Sequence, residues 1–217
     1  MKKVAVLGSG QVGDALSNGF LKHGCAVMRA TRDPKKLQGW KDVAQGETAI
    51  GTYEQAAKWG ELIVLAVKGL VAESVLEQCG IANLAGKTII DTTNPISSEP
   101  PDNGVIRYFT NANESLMERL QKKAPAARFV KAFNSIGNVF MVEPKFPIPP
   151  TMFICGNDAA AKQETIEVLT KFGWQDTCDL GAAEAARPIE MLCILWCIPG
   201  FLRNDWANAF KLVKLAG

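Results

Sequence analysis

A chain that holds a phosphate needs backbone amides free to point at it, and Gly8-Ser9-Gly10-Gln11-Val12-Gly13 has the spacing for that task. The pattern Gly8-x-Gly10-x-x-Gly13 directly follows the apolar run Val4 to Leu7. Gly8 permits a tight turn, Gly10 lets backbone approach a pyrophosphate, and Gly13 lets the next helix lie close to the strand. The phosphate then rests on exposed amides at the positive end of a helix dipole. Such a loop can also be a plain tight connection. The strand before it and the helical stretch Gln11 to His23 after it favour dinucleotide binding.

The end of the second strand decides which dinucleotide. An NAD site places Asp or Glu about 20 residues further on, where it accepts from the adenosine ribose hydroxyls. Here the chain reads Ala30-Thr31-Arg32. The Arg32 guanidinium suits a 2′-phosphate, Thr31 adds a hydroxyl donor, and Lys36 adds positive charge one helical turn on. Asp33 lies beside this set and opposes it, and Lys36 reads equally well as a surface lysine. The balance predicts NADP.

Proton-transfer chemistry is harder to find. The only histidine, His23, precedes Gly24 at the end of the first helical stretch, far from the nicotinamide end, where an imidazolium suits the helix dipole. Lys131 and Asn134 resemble the Lys and Asn pair of β-hydroxyacid dehydrogenases, which act from a helix. In the predicted strand Arg128 to Phe133, residues three apart face opposite sides, so no dyad is expected. Asp91 looks like a catalytic carboxylate, but capping the loop that follows is its expected role. No catalytic residue is therefore assigned. Cys25, Cys79, Cys155, Cys178, Cys193 and Cys197 lack paired metal-ligand spacing, and Cys193 and Cys197 have no further ligands beside them. Buried thiols are expected, with neither a disulfide framework nor a metal site.

The elements that must position these residues alternate. Strands are predicted at Val4 to Leu7, Ala26 to Ala30, Thr48 to Gly51, Leu62 to Val67, Thr88 to Ile90 and Arg128 to Phe133, with helices at Gln11 to His23, Tyr53 to Trp59 and Ala112 to Lys123. That order implies an α/β fold, a Rossmann-type doubly wound parallel sheet covered on both faces. Two proline-rich loops, Asn94 to Pro101 and Glu143 to Pro150, interrupt it, and the first belongs either to plain connection or to the ligand-binding edge. After them come a strand at Met152 to Cys155, a helix at Ala159 to Phe172, a strand at Trp174 to Asp179, and terminal helices. Trp206, Phe210 and Val213 would form an apolar stripe on the last of these, packed in the core or against a second copy. The reading is an NADP-binding Rossmann domain over residues 1–185 and a C-terminal helical segment over 186–217.

With 217 residues, 47% hydrophobic and 21% charged, the chain has the composition of a globular domain, and a net charge of +2 gives no general pull toward nucleic acid or anionic membrane. Met1-Lys2-Lys3 leads straight into a strand, so no secretory leader is legible. The longest apolar stretch, Met191 to Phe201, contains Pro199 and Gly200 and is about half the length that spans a bilayer. A cytoplasmic, unanchored homodimer is expected.

Four further segments, Leu65-Ala66-Val67-Lys68, Ile90-Asp91-Thr92-Thr93-Asn94-Pro95, Val130-Lys131-Ala132-Phe133-Asn134-Ser135-Ile136 and Phe153-Ile154-Cys155-Gly156-Asn157-Asp158, carry a family resemblance. Together with the glycine loop, and over residues 1 to about 190, the chain resembles the NADPH-dependent oxidoreductases named for reduction of the deazaflavin coenzyme F-420. It is also similar to the cytosolic domains of six-transmembrane ferric reductases. The resemblance implies pyrophosphate contacts at Ser9, Gly10, Gln11 and Val12, and adenosine-phosphate contacts at Thr31, Arg32 and Lys36. It places the nicotinamide end at Ala66, Val67, Lys68, Asn94 and Ala132, although Ala66 and Ala132 read equally well as core. The implied activity is hydride transfer between NADPH and a deazaflavin, flavin or related acceptor, which needs stacking and dryness more than an acid. Reduction of a small imine or ketone, or NADPH sensing without turnover, are the alternatives.

Overall fold

The computed structural model describes residues 1–215. Its centre is a six-stranded parallel sheet in the order β3-β2-β1-β4-β5-β6, made of β1 (Lys3–Leu7), β2 (Ala26–Ala30), β3 (Thr48–Gly51), β4 (Leu62–Leu65), β5 (Thr88–Asp91) and β6 (Arg128–Lys131). Alternation sorts each strand between two cores. Ala5 and Leu7 face α3 (Tyr53–Trp59), α4 (Gly69–Cys79), α5 (Leu116–Lys123) and α7 (Ala186–Arg203). Val4 and Val6 face α1 (Gln11–Lys22), α2 (Gln38–Val43) and α6 (Ala159–Lys171). A second parallel pair, β7 (Thr151–Ile154) and β8 (Asp176–Asp179), joins the main sheet through one bridge between Lys131 and Cys155.

Register does the positioning. Leu7 pairs with Ala30 and Leu65, Ala30 with Gly51, Leu65 with Asp91, and Asp91 with Lys131. The last residues of all six strands thus form one row, and the chain leaves every strand at the same edge. The order reverses direction between β1 and β4, the place where doubly wound sheets open a crevice for ligands.

Several element ends differ from the sequence expectation. The third predicted helix begins at Leu116 rather than Ala112, because Ser115 and Glu118 form a reciprocal capping box at that point. β6 ends at Lys131 instead of Phe133, since Phe133 turns to φ 62° and leaves the ladder. β4 likewise stops at Leu65, and β8 starts at Asp176. α4 has no counterpart in the sequence reading. Cys79, Cys155, Cys193 and Cys197 are buried free thiols, whereas Cys25 and Cys178 are half-buried.

The largest correction is at the C-terminus. A single helix, α7, runs to Arg203, Asn204 ends it in the left-handed conformation at φ 54°, and residues 204–215 form no helix. The predicted stripe does not exist. Trp206 packs on Gly200 and against Trp196 and Phe201, the Phe210 carbonyl accepts from Thr151, and Val213 is exposed. Residues 216 and 217 of the predicted helical segment lie outside the described residues. Pro199 does not break α7, which continues to Arg203 without the bond that a residue-199 N–H would give the Leu195 carbonyl. Counted from Ala183, the helical stretch reaches 21 residues and holds an 18-residue window of mean hydropathy 1.4, long and apolar enough to cross a membrane, contrary to the half-length read from the apolar run alone. It carries four charged residues, Glu184, Arg187, Glu190 and Arg203, of which Arg187 and Glu190 are bonded to α5.

Candidate active site at the carboxyl edge of the sheet

The three glycines of the loop differ in what the surrounding protein demands of them. Gly8 has φ 143°, and a Cβ there would stand 2.1 Å from the Ala66 carbonyl oxygen. A Cβ on Gly13 would stand 2.8 Å from the Gly8 carbonyl oxygen, so these two glycines are required by the protein itself. Gly10 is different. A Cβ there would meet no protein atom within 4 Å, so nothing in the described structure demands a glycine. Gly10 also occupies the N-cap of α1 with no side chain to accept from the first turn, which leaves the amides beyond it free for an anion. Open space above an uncapped helix N-terminus is the form of a phosphate cradle, and Ser9 and Gln11 are exposed beside it.

The candidate phosphate-selecting residues lie where β2 ends. Arg32 and Lys36 are exposed, and Thr31 is nearly buried. Asp33, which opposed the NADP reading, is occupied locally: its side chain accepts from the Lys35 amide at 3.2 Å and caps the short 3-10 turn Pro34–Leu37. Lys35 joins Arg32 and Lys36 on the same exposed connection, a third cation that the sequence reading did not use.

At the other end, Val67 is half-buried and Lys68 exposed at the N-cap of α4. Ala66 and Ala132 are buried in the core, with amides already given to the Leu7 and Asp91 carbonyls, so their side chains sit beneath the edge. Asn94 is held by a reciprocal pair. It donates to the Asn134 carbonyl at 2.7 Å, and Asn134 donates back at 3.0 Å and also to the Ile189 carbonyl of α7 at 2.9 Å.

Beneath Asn94 lies an ionic cluster that only the fold assembles. Lys131 Nζ, fully buried, contacts Asp91 at 2.7 Å, Glu190 at 2.8 Å and the Thr93 carbonyl at 2.8 Å. Asp91 turns its other oxygen to the Thr93 amide and hydroxyl, the loop-capping role expected of it. Glu190 also accepts from the Leu116 and Met117 amides, so α7 is fastened to the N-terminus of α5. Burial alone lowers the Lys131 pKa, but the two carboxylates outweigh it and hold the ammonium above its usual value. Two carboxylates share one cation, and burial pushes Glu190 upward. Lys131 and Asn134 share no hydrogen bond, and a sealed, doubly paired lysine is not poised to hand a proton to a substrate. His23 caps α1 and stacks on Phe172 at 5.6 Å. Two surface grooves of about 350 and 610 Å³ lie along α1 and beside α5, and share only Gln11 with the cofactor set.

The functional residues missed from the sequence are Arg29, Lys131 as a structural ion, and Glu190. Each was signalled by one charge inside an otherwise apolar run, Ala-Val-Met-Arg29-Ala, Phe-Val-Lys131-Ala and Ile-Glu190-Met-Leu.

Known proteins are similar to this chain in sequence and fold. A family model described as NADP oxidoreductase coenzyme F420-dependent matches residues 3–95, which hold the glycine loop, Arg32 and Asn94. The rat (Rattus norvegicus) protein Metalloreductase STEAP3 is 28% identical over 92% of this chain, and the chain spans 39% of that protein's length. The F420-dependent NADP reductase of Methanocaldococcus jannaschii is 24% identical over 88% of each chain. A solved structure of a provisionally named F420-dependent NADP reductase from Arthrobacter sp. FB24 superposes with a TM-score of 0.92 at 32% identity, covering 99% of this chain and all of that one. The match extends through the whole length, α7 included, so on sequence and fold together the chain belongs to the coenzyme F420-dependent NADP oxidoreductase family.

Proposed function

We propose that this oxidoreductase binds NADPH across the carboxyl edge and exchanges hydride with a deazaflavin, flavin or related planar acceptor. The observation that carries the reading is Gly10, a glycine that the protein's own packing does not need and that a pyrophosphate does. Ser9, Gln11 and Val12 would bind the pyrophosphate, with Arg32, Thr31 and Lys36 at the 2′-phosphate. NADPH, once bound, supplies the hydride. Asn94 would orient the nicotinamide end through its bond to Asn134, with Val67 and Lys68 flanking it. The buried Ala66 and Ala132 would act as the floor. At this end Lys131 is sealed and Lys68 is open to solvent, and ring-to-ring hydride transfer, which needs positioning more than an acid, suits the edge better than reduction of an imine or ketone.

The exposed side of α7 supports a homodimer. Leu195, Phe201 and Leu202 are exposed, and no charged residue occurs between Met191 and Leu202. A second copy, related by a two-fold axis, would cover that face.

The test is to mix purified protein with NADPH or NADH and with deazaflavin, flavin, imine or ketone acceptors while following nicotinamide absorbance. Turnover with NADPH and a ring acceptor is expected, and turnover only with an imine or ketone would replace this reading. Gly10→Ala should fold normally and bind dinucleotide at least about tenfold more weakly. Light scattering should report twice the chain mass.

A further inference from the structure

We infer that Arg29 is a positioning residue for the pyrophosphate loop, a buried cation that sets the direction of the loop amides from beneath. The inference rests on the dinucleotide reading above and assigns the loop's orientation to a residue outside the glycine motif.

Arg29 lies inside β2, where an apolar side chain would ordinarily pack, and is 1% exposed. A buried guanidinium is costly unless its donors are met. Nη1 pairs with Asp14 in the first turn of α1. Nη2 lies 3.4 Å from the Gly8 carbonyl oxygen and 3.4 Å from that of Gly10. The Trp40 ring covers the guanidinium with its centroid 5.0 Å from Cζ, and Trp40 is held by a 2.9 Å bond from its indole nitrogen to Asn18. Gly13 leaves room for all this, since a Cβ there would stand 3.4 Å from Nη2. The third glycine therefore makes space for the arginine as well as for close helix packing.

The consequence follows from peptide planarity. In a trans peptide the carbonyl and the next amide point in opposite directions. Drawing the Gly8 and Gly10 carbonyls down toward Arg29 turns the Ser9 and Gln11 amides up, toward the open space above Gly10. The same guanidinium neutralises Asp14, whose carboxylate would otherwise stand in the first turn of α1 and repel a phosphate.

Arg29→Lys tests this. Lysine keeps the charge and the Asp14 pair but cannot fork to both carbonyls. Dissociation constants for NADPH, NADH and adenosine 2′-monophosphate are measured on the variant and the unmodified protein. Both dinucleotides should weaken together, by about tenfold, with the NADPH to NADH preference unchanged. Adenosine 2′-monophosphate lacks the pyrophosphate and should bind as before, whereas a general distortion of β2 would weaken it too. Unchanged dinucleotide affinity, or an equal loss for the monophosphate, would overturn the proposal. Failure of the unmodified protein to bind either dinucleotide would overturn the cofactor reading that precedes it. Should Arg29→Lys not fold, Asp14→Asn decides. It retains an acceptor and removes a negative charge, so both dinucleotides should bind several-fold more tightly at low salt, with the gain fading as salt rises. No change in affinity there overturns the proposal as well.

Discussion

Arg29 and Lys131 are both buried cations in strand positions, yet they organise the two ends of the edge in different ways. Arg29 has one carboxylate, Asp14, whose side chain is 53% exposed, and spends its remaining reach on loop carbonyls. Lys131 has two carboxylates, both sealed, and one of them arrives from a helix far along the chain. The first arrangement is local to one βαβ unit and leaves a surface open to a ligand. The second joins β5, β6, α5 and α7 and holds the loop bearing Asn94 in place. One end is held by adjacent sequence and the other by tertiary closure, so damage at the two ends should look different.

Lys131→Met should produce the largest effect. It strands two carboxylates in the interior, and loss of one partner of a buried ionic group costs about 3–5 kcal/mol. Urea unfolding should show that loss, while turnover per folded molecule stays far above the roughly 10²–10⁴-fold deficit of a missing general acid. A folded variant of unchanged stability with collapsed turnover would make Lys131 a proton donor and erase the distinction between the two cations.

Arg32→Ala acts at the open end and should leave stability alone. Losing a charge-assisted bond to the 2′-phosphate is worth roughly 1.5–3 kcal/mol, or about 10–150-fold weaker NADPH binding. Titration with NADH should show no comparable change. Equal affinity of the unmodified protein for the two dinucleotides would remove the basis for that selectivity.

The pH dependence sharpens the contrast at the closed end. Arg187 grips Glu118 with three bonds, Nε to Oε2 at 2.9 Å and to Oε1 at 3.2 Å, and Nη2 to Oε1 at 2.5 Å, clamping α7 to α5. Chiefly through that arginine, the Glu118 pKa falls from 4.5 to about 2. A depressed carboxyl pKa stabilises the fold fully above the unfolded value, and the benefit disappears as the pH falls from about 4.5 toward 2. Glu118→Gln should therefore flatten the acid limb of the stability curve in that window, with a modest effect because the pair is partly exposed. His23→Ala should do least, leaving turnover near normal, since the backbone N–H of residue 23 caps α1 and the imidazole only stacks on Phe172.

The same division explains what could be read from the sequence. Gly8, Gly10, Gly13, Arg32 and the strands around them are encoded by short-range spacing, and the register row places them together without long-range information. The pairings of Lys131 with Glu190 and of Asn94 with Asn134 span 59 and 40 positions, and no spacing rule reaches that far. The C-terminal error has a related cause. Trp206, Phe210 and Val213 satisfy helical periodicity, but Asn204 adopts a left-handed turn, and the tail then takes its hydrogen bonds from Thr151 instead. Asp33 shows the smallest version of this effect, a carboxylate that looked like a competitor for phosphate and is bonded to its own turn.

The position of Glu190 limits how this fold can be recombined. A boundary after residue 185 is natural to the eye, because the sheet and all its covering helices except α7 are complete by then. Yet a chain cut there would lose the carboxylate that accepts the first amides of α5 and balances Lys131. A chimaera that exchanges the C-terminal segment to change the acceptor must therefore import an acid at the height of Glu190, or replace Lys131 and Asp91 with apolar residues at the same time.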